Sequence, residues 1–240
     1  MDGNIAVVER GNKRVQIFDA RTGQSLRCFP VDGGRPWGMD MDCNGQFAVT
    51  FHDDVFSTGN RAISVYSQEG KLTKTLKPDC LRDPCGVAVL QDGRMVVVDR
   101  AQQSCLLLQP DGSLIRDIGR GLLQNPWFIA VDESRGLFLV TDISADQVFV
   151  FDLEGRLKFS FGKTEGELIG PIGITVDPAG NIIVVNGDNC RLQVFGPDGT
   201  YLRTVATVKG DSPHGIALTP DNHIAVACFS GHCVELYRYK

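Results

Sequence analysis

Four histidines, eight cysteines and a recurring set of aspartates are the residues of this 240-residue chain that could carry out catalysis or hold a metal. His52, His214, His223 and His232 form no H-x-H or paired spacing. The cysteines at 28, 43, 80, 85, 105, 190, 228 and 233 contain no C-x-x-C and match no zinc-ligand set. Asp40, Asp132 and Asp177 recur at comparable places, and recurrence of an Asp reads first as turn chemistry. No nucleophile elbow or phosphate loop is present. Calcium- or zinc-dependent hydrolysis would need several oxygen or imidazole ligands converging from separate strands, and no such set recurs. The expectation is a non-catalytic domain without metal or cofactor.

Two other groups of residues fit binding better, and a repeat positions them. Gly3–Phe18, GNIAVVERGNKRVQIF, returns along the whole chain. Anchors at Gly3, Gly45, Gly93, Gly136, Gly180 and Asn222 are spaced by 42, 48, 43, 44 and 42 residues. A period of this size marks a stacked or ring architecture. Each full unit holds four strand-like runs. The first opens on P-x-G or a variant, as in Pro36-Trp37-Gly38 and Pro171-Ile172-Gly173. The second is nearly continuously apolar, as in Ile182–Val185, and predicts a strand buried on both faces. The third alternates, as in Leu192-Gln193-Val194-Phe195, and the fourth is polar and edge-like. Four strands per unit and six units predict an all-β, six-bladed β-propeller of antiparallel blades. The chain is read as one domain, with repeats near 1–35, 36–83, 84–125, 126–170, 171–212 and 213–240. The first unit lacks its P-x-G strand and the last lacks its fourth, so both blades are expected to be incomplete. Residues upstream of Met1 are expected to supply the missing pair.

Aligned units turn positions into columns. The residue after each P-x-G proline reads Trp37, Cys85, Trp127, Ile172, His214, and this column is expected to ring the channel mouth. It holds both tryptophans, a residue type favoured at binding hot spots. The end of the second run reads Glu9, Phe51, Asp99, Asp142, Asn186, Cys228, and the start of the third reads Arg14, Ala62, Ser104, Gln147, Arg191, Cys233. Both flank one hairpin turn, which predicts a Glu9–Arg14 ion pair, an Asn186–Arg191 hydrogen bond and a facing Cys228–Cys233 thiol pair. Phe51–Gly59 carries six extra residues and reads as a loop insertion of the kind that binds partners or has no role.

The pattern P-x-G-[IV]-x-V, then G-N-I-V-V, then N-x-R-[VL]-Q-[IV]-F resembles the NHL repeat, and Gly180–Phe195 lies close to its consensus. The resemblance covers essentially the whole chain. It implies a likeness to the C-terminal NHL domain of tripartite-motif E3 ubiquitin ligases. Such domains recruit protein substrates in one group, muscle-associated ligases included, and hold RNA on a strongly basic face in another, as translational repressors.

Composition favours the first group. The net charge of −5 and the pI near 5.4 are opposite to what phosphate neutralisation asks of a nucleic-acid binder. Apolar content of 42% is ordinary for a globular chain. No apolar run is long enough to span a bilayer, and no charged-then-apolar segment follows Met1. The resulting expectation is a cytoplasmic, monomeric protein-interaction platform that recruits ligase substrates, with RNA binding as the alternative. Its partner-binding residues are expected to be Trp37, Trp127 and His214 at the mouth, with Lys13, Arg14, Arg61 and Arg100 as a charged rim.

Overall fold

The computed structural model describes residues 3–52, 59–164 and 166–239. Its elements are all strands, in six antiparallel sheets. The first sheet is β1 (Ile5–Glu9), β2 (Arg14–Phe18) and β3 (Ser25–Pro30). The second is β4 (Arg35–Met41), β5 (Phe47–His52), β6 (Arg61–Tyr66) and β7 (Leu72–Leu76). The third is β8 (Pro84–Val89), β9 (Met95–Asp99), β10 (Ser104–Leu108) and β11 (Leu114–Ile118). The fourth is β12 (Pro126–Asp132), β13 (Leu137–Asp142), β14 (Gln147–Asp152) and β15 (Leu157–Phe161). The fifth is β16 (Pro171–Val176), β17 (Ile182–Asn186), β18 (Arg191–Phe195) and β19 (Tyr201–Thr207). The sixth is β20 (Pro213–Leu218), β21 (His223–Cys228) and β22 (Cys233–Arg238). Within each sheet, strands adjacent in sequence are hydrogen-bonded neighbours. The chain is an all-β six-bladed propeller whose first and last blades have three strands. Its contacts group into two compact units, Met1–Arg120 and Gly121–Lys240, with three blades in each.

The second strands are buried on both faces as their apolar runs require, β9 and β17 throughout. In the first blade, β1 is an edge of its sheet and is only half-buried. The third strands differ from the expected alternation. Gln16, Ser64 and Gln193, which look solvent-facing in sequence, are buried at 4%, 1% and 2% exposure. Stacked blades cover both faces of a third strand, so these polar groups need partners. Gln16 Nε2 donates to Ser25 Oγ and to the Arg27 carbonyl, Ser64 Oγ bonds Thr75 Oγ1, and Gln193 Nε2 donates to the Gly166 carbonyl.

The fourth strands are exposed except at one end. Phe29 in β3 and Phe161 in β15 are buried where the rest of each strand is largely exposed. Phe29 reaches Tyr66 of the next blade at 5.1 Å, and Phe161 reaches Phe195 of the next blade at 4.8 Å. Each ring removes about 2–3 kcal/mol worth of apolar surface from water, so these phenylalanines staple neighbouring blades within each unit.

Every P-x-G strand has its register broken just after the proline, for instance between Pro36 and Met39 and between Pro171 and Ile174. The break frees a backbone N–H that must be satisfied. Thr50 Oγ1 accepts Gly38 N–H at 2.9 Å and donates to the Cys85 carbonyl of the next blade. Thr141 Oγ1 accepts Phe128 N–H at 3.1 Å and donates to the Ile172 carbonyl at 2.7 Å. One hydroxyl thus mends the bulge and ties two blades.

Asp132 and Asp177 serve turns, as expected: Asp132 accepts the Arg135 amide and Asp177 the Ala179 and Asn181 amides. Asp40 does not. Its carboxylate accepts Val89 N–H of the neighbouring blade at 2.8 Å, while Asp42 holds the turn. Burial pushes the Asp40 carboxyl up to about 6 from 3.8. Because the folded value stands above the unfolded one, the folded chain binds that proton more tightly between about pH 4 and 6. Stability is therefore lost as pH rises through this window. Asp40→Asn keeps an acceptor for Val89. It should be more stable than the parent by about 1–3 kcal/mol above pH 6, with the two converging near pH 4. Urea melts across pH 4–8 check this.

Candidate interaction surface

The four-residue turns between second and third strands, and the segments leading into the first strands, lie at the same ends of their blades. In the first unit they assemble around Trp37, which is half-buried in β4. The Arg10 guanidinium lies 4.2 Å from its ring centre and that of Arg100 5.4 Å away. The His52 ring stacks on it at 5.5 Å with an interplanar angle of 8°. Asp83 closes the group. It takes Arg100 at 3.0 Å and lies 3.1 Å from His52 Nε2. Cations over an indole face are attracted by the ring quadrupole by roughly 0.5–2 kcal/mol each. Arg10 comes from the first blade, Trp37 and His52 from the second, and Arg100 and Asp83 from the third. Of the predicted rim, Arg100 belongs to this cluster.

The other rim residues have local roles. Arg14 grips Glu9 at 2.7 Å, as predicted, and this hydrogen bond holds the Glu9 carboxyl below its ordinary range. Arg61 donates to the Arg82 carbonyl at 3.0 Å. Lys13 is exposed at the last position of its turn, in the left-handed region at φ 50°. Residues 53–58 of the predicted insertion lie outside the described residues. Of the rest, Phe51 and His52 end β5 and are buried, and Gly59 is half-buried.

In the second unit Trp127 and His214 come together, with ring centres 5.8 Å apart, and Phe229 stacks on His214 at 5.3 Å. Trp127 Nε1 donates to Asn125 Oδ1 at 3.2 Å, fixing the indole. Burial holds the His214 imidazole below its ordinary pKa. Ile172, in the strand between, is half-buried. Phe229 is 48% exposed and sequence reasoning missed it. The available signal was an aromatic residue opening a turn whose counterparts are Arg10, Arg100, Ile143 and Gly187.

Cys85 departs from the expected mouth column. It is 1% exposed and burial pushes its thiol up to about 12. The turn column also has a more demanding task than side-chain pairing. Asp99 accepts the amides of Arg82, Asp83 and Gln102, and Asp142 those of Gln124, Asn125 and Ala145. Both carboxylates are fully buried. The expected Asn186–Arg191 hydrogen bond is absent. Asn186 faces inward, accepting Ile169 N–H at 2.8 Å and donating to the Glu167 carbonyl at 2.8 Å, while Arg191 is exposed. Cys228 and Cys233 face each other in register as free thiols. Burial, then the neighbouring Cys233, pushes the Cys228 thiol up to about 12.

Among the described residues, no group of three or more His, Cys, Asp or Glu side chains converges to hold a metal. No helix in them is long and apolar enough to cross a membrane.

Comparison with known proteins places this geometry. Residues 168–195 and 211–235 match the NHL repeat. Across 99% of its length the chain is 23% identical to the human E3 ubiquitin-protein ligase TRIM32, covering 40% of that protein. It is 25% identical to the human E3 ubiquitin-protein ligase NHLRC1 over 98% of its length, covering 64% of that protein. The chain thus spans less than two thirds of either relative. Among solved structures, a streptogramin B lyase matches all of the chain and 80% of its own at a TM-score of 0.71 and 14% identity. A chain of a nidogen/laminin complex matches 98% of this chain and 93% of its own at 0.75 and 16% identity. Likeness at such identity concerns the fold, which lyase and complex share. The chain is a six-bladed β-propeller that carries NHL repeats at residues 168–195 and 211–235, and curated relatives that it resembles along nearly its whole length are E3 ubiquitin ligases.

Proposed function

We propose that this propeller is a protein-interaction platform that recruits substrates for an E3 ubiquitin ligase, with partners held at the turn-bearing blade ends. The observation that carries this reading is the pair of half-exposed aromatic clusters there, one around Trp37 and one running Trp127–His214–Phe229. Aromatic side chains framed by polar groups are the usual centres of protein interfaces. The likeness to TRIM32 and NHLRC1 supports the ligase setting. RNA binding is less well supported, because the cations it would use have internal partners: Arg14 pairs with Glu9, Arg100 with Asp83, and Arg61 with a carbonyl.

The test is the double variant Trp37→Ala with Trp127→Ala, used as bait in cytosolic extract beside the parent. Proteins retained by the parent should be lost while circular dichroism is unchanged. A random single-stranded RNA pool, titrated across a salt series, is expected to bind weakly or not at all. Submicromolar RNA binding with a log–log salt slope near −0.7 per phosphate contact, for about four or more contacts, would replace this reading with an RNA-binding one.

A further inference from the structure

The turns and lead-in segments of the second unit place exposed apolar side chains next to carboxylates. Leu122, Ile169 and Phe229 are 47%, 41% and 48% exposed, and all three lie in these segments. Ile169 precedes Gly170, where an added Cβ would lie 3.0 Å from the Asp188 carboxyl, and Asp188 N–H donates to the Ile169 carbonyl. Phe229 N–H donates to the Ser212 carbonyl and Gly231 N–H to that of Asp211, so Asp211 lies beside the Phe229 turn. Asp188 and Asp211 are both exposed. Asp146 adds a third carboxylate, one oxygen of which accepts Gly170 N–H. The cations closest in sequence are Lys209 to Asp211 and Arg191 to Asp188. Exposed apolar side chains gathered on one part of a surface and rimmed by polar groups mark an interaction site. The sign of the rim selects the partner's charge.

We propose that this end of the second unit docks an extended peptide bearing an aromatic or large aliphatic side chain flanked by lysine or arginine. The apolar side chain lies against Phe229 and His214, with Trp127 behind. The flanking cations meet Asp188 and Asp211. This rests on the protein-recruiting reading above and deepens it by naming the chemistry of the recruited segment. Affinity divides between the aromatic run and the carboxylates, so each is expected to be separately necessary.

The experiment uses the whole chain on arrays of random 12-residue peptides with one central Trp, Phe or Leu. One array has Lys or Arg at the flanking positions, a second Asp or Glu, and a third Ser or Gly. Retention should be at least about tenfold greater on the basic array, equivalent to about 1.4 kcal/mol. Phe229→Ala should reduce it about tenfold, and Asp188→Asn with Asp211→Asn by a similar factor. These residues are exposed, so the folded state should survive, which circular dichroism verifies. Lys71→Ala, at an exposed residue of the first unit outside both aromatic clusters and the rim, should change nothing. Equal retention on basic and acidic arrays, or full retention by Phe229→Ala, would overturn the proposal. If the arrays fail while the Trp37→Ala/Trp127→Ala variant still loses its captured proteins, the peptide chemistry is wrong and the recruiting role stands. If both fail, so does the recruiting role.

Discussion

Asp142→Ala should lower the stability of the propeller by about 3–5 kcal/mol, seen as a fall of roughly 10 °C in melting temperature. The buried carboxylate accepts three backbone amides, those of Gln124, Asn125 and Ala145, at 2.6–3.0 Å. Alanine leaves all three donors without that acceptor in a place where water does not replace it. Each hydrogen bond to a charged group is worth about 1.5–3 kcal/mol, and unsatisfied donors add their own desolvation cost. Asp142→Asn keeps one oxygen and should lose roughly half as much. Asn186 shows why, since its amide oxygen takes one backbone N–H and its nitrogen must find an acceptor elsewhere. Hydrogen exchange locates the effect: amides 124, 125 and 145 should lose protection first. Unchanged protection there would mean that the carboxylate is not what orders the segment leading to Trp127.

Gly173→Ala should cost about 1–3 kcal/mol and also disturb the aromatic run. A Cβ at this position would lie 2.2 Å from the His214 carbonyl oxygen, with Ile216 and Val185 methyls at 3.0 and 3.1 Å. The obstacle is backbone of the adjacent strand β20, which cannot rotate away as a side chain could. The strand must move, and His214 moves with it relative to Trp127. Melting temperature measures the first effect. A shift in tryptophan emission, with Trp37→Phe as background to isolate Trp127, measures the second. Unaltered stability would show that β16 and β20 have room to separate.

Much of the architecture was legible in the chain. The repeat period, the continuously apolar second runs and the P-x-G openings are local patterns, and each strand obeys them because the side-chain period of a strand is two. The ion pair of Glu9 with Arg14 was legible too, since both flank one short turn. The third strands alternate in sequence but not in burial, because alternation reports burial only where one face meets water. Here a neighbouring blade covers the second face, and Gln16, Ser64 and Gln193 go inside with their partners.

The candidate surface divides along the same line. Trp37, Trp127 and His214 share a column, so their placement at equivalent strand starts followed from the repeat. That His214 meets Trp127, and that Trp37 gathers Arg10, His52 and Arg100, depends on how successive first strands and turns converge. Asp99 and Asp142 flank a turn in the sequence, and they are internal acceptors because the segment leading into each first strand folds over them. By itself the sequence determined the strands, their number and their order, because these follow from local periodicity and turn chemistry. Only the tertiary structure decided which polar groups are buried and which aromatics meet, because those depend on contacts between residues far apart in the chain.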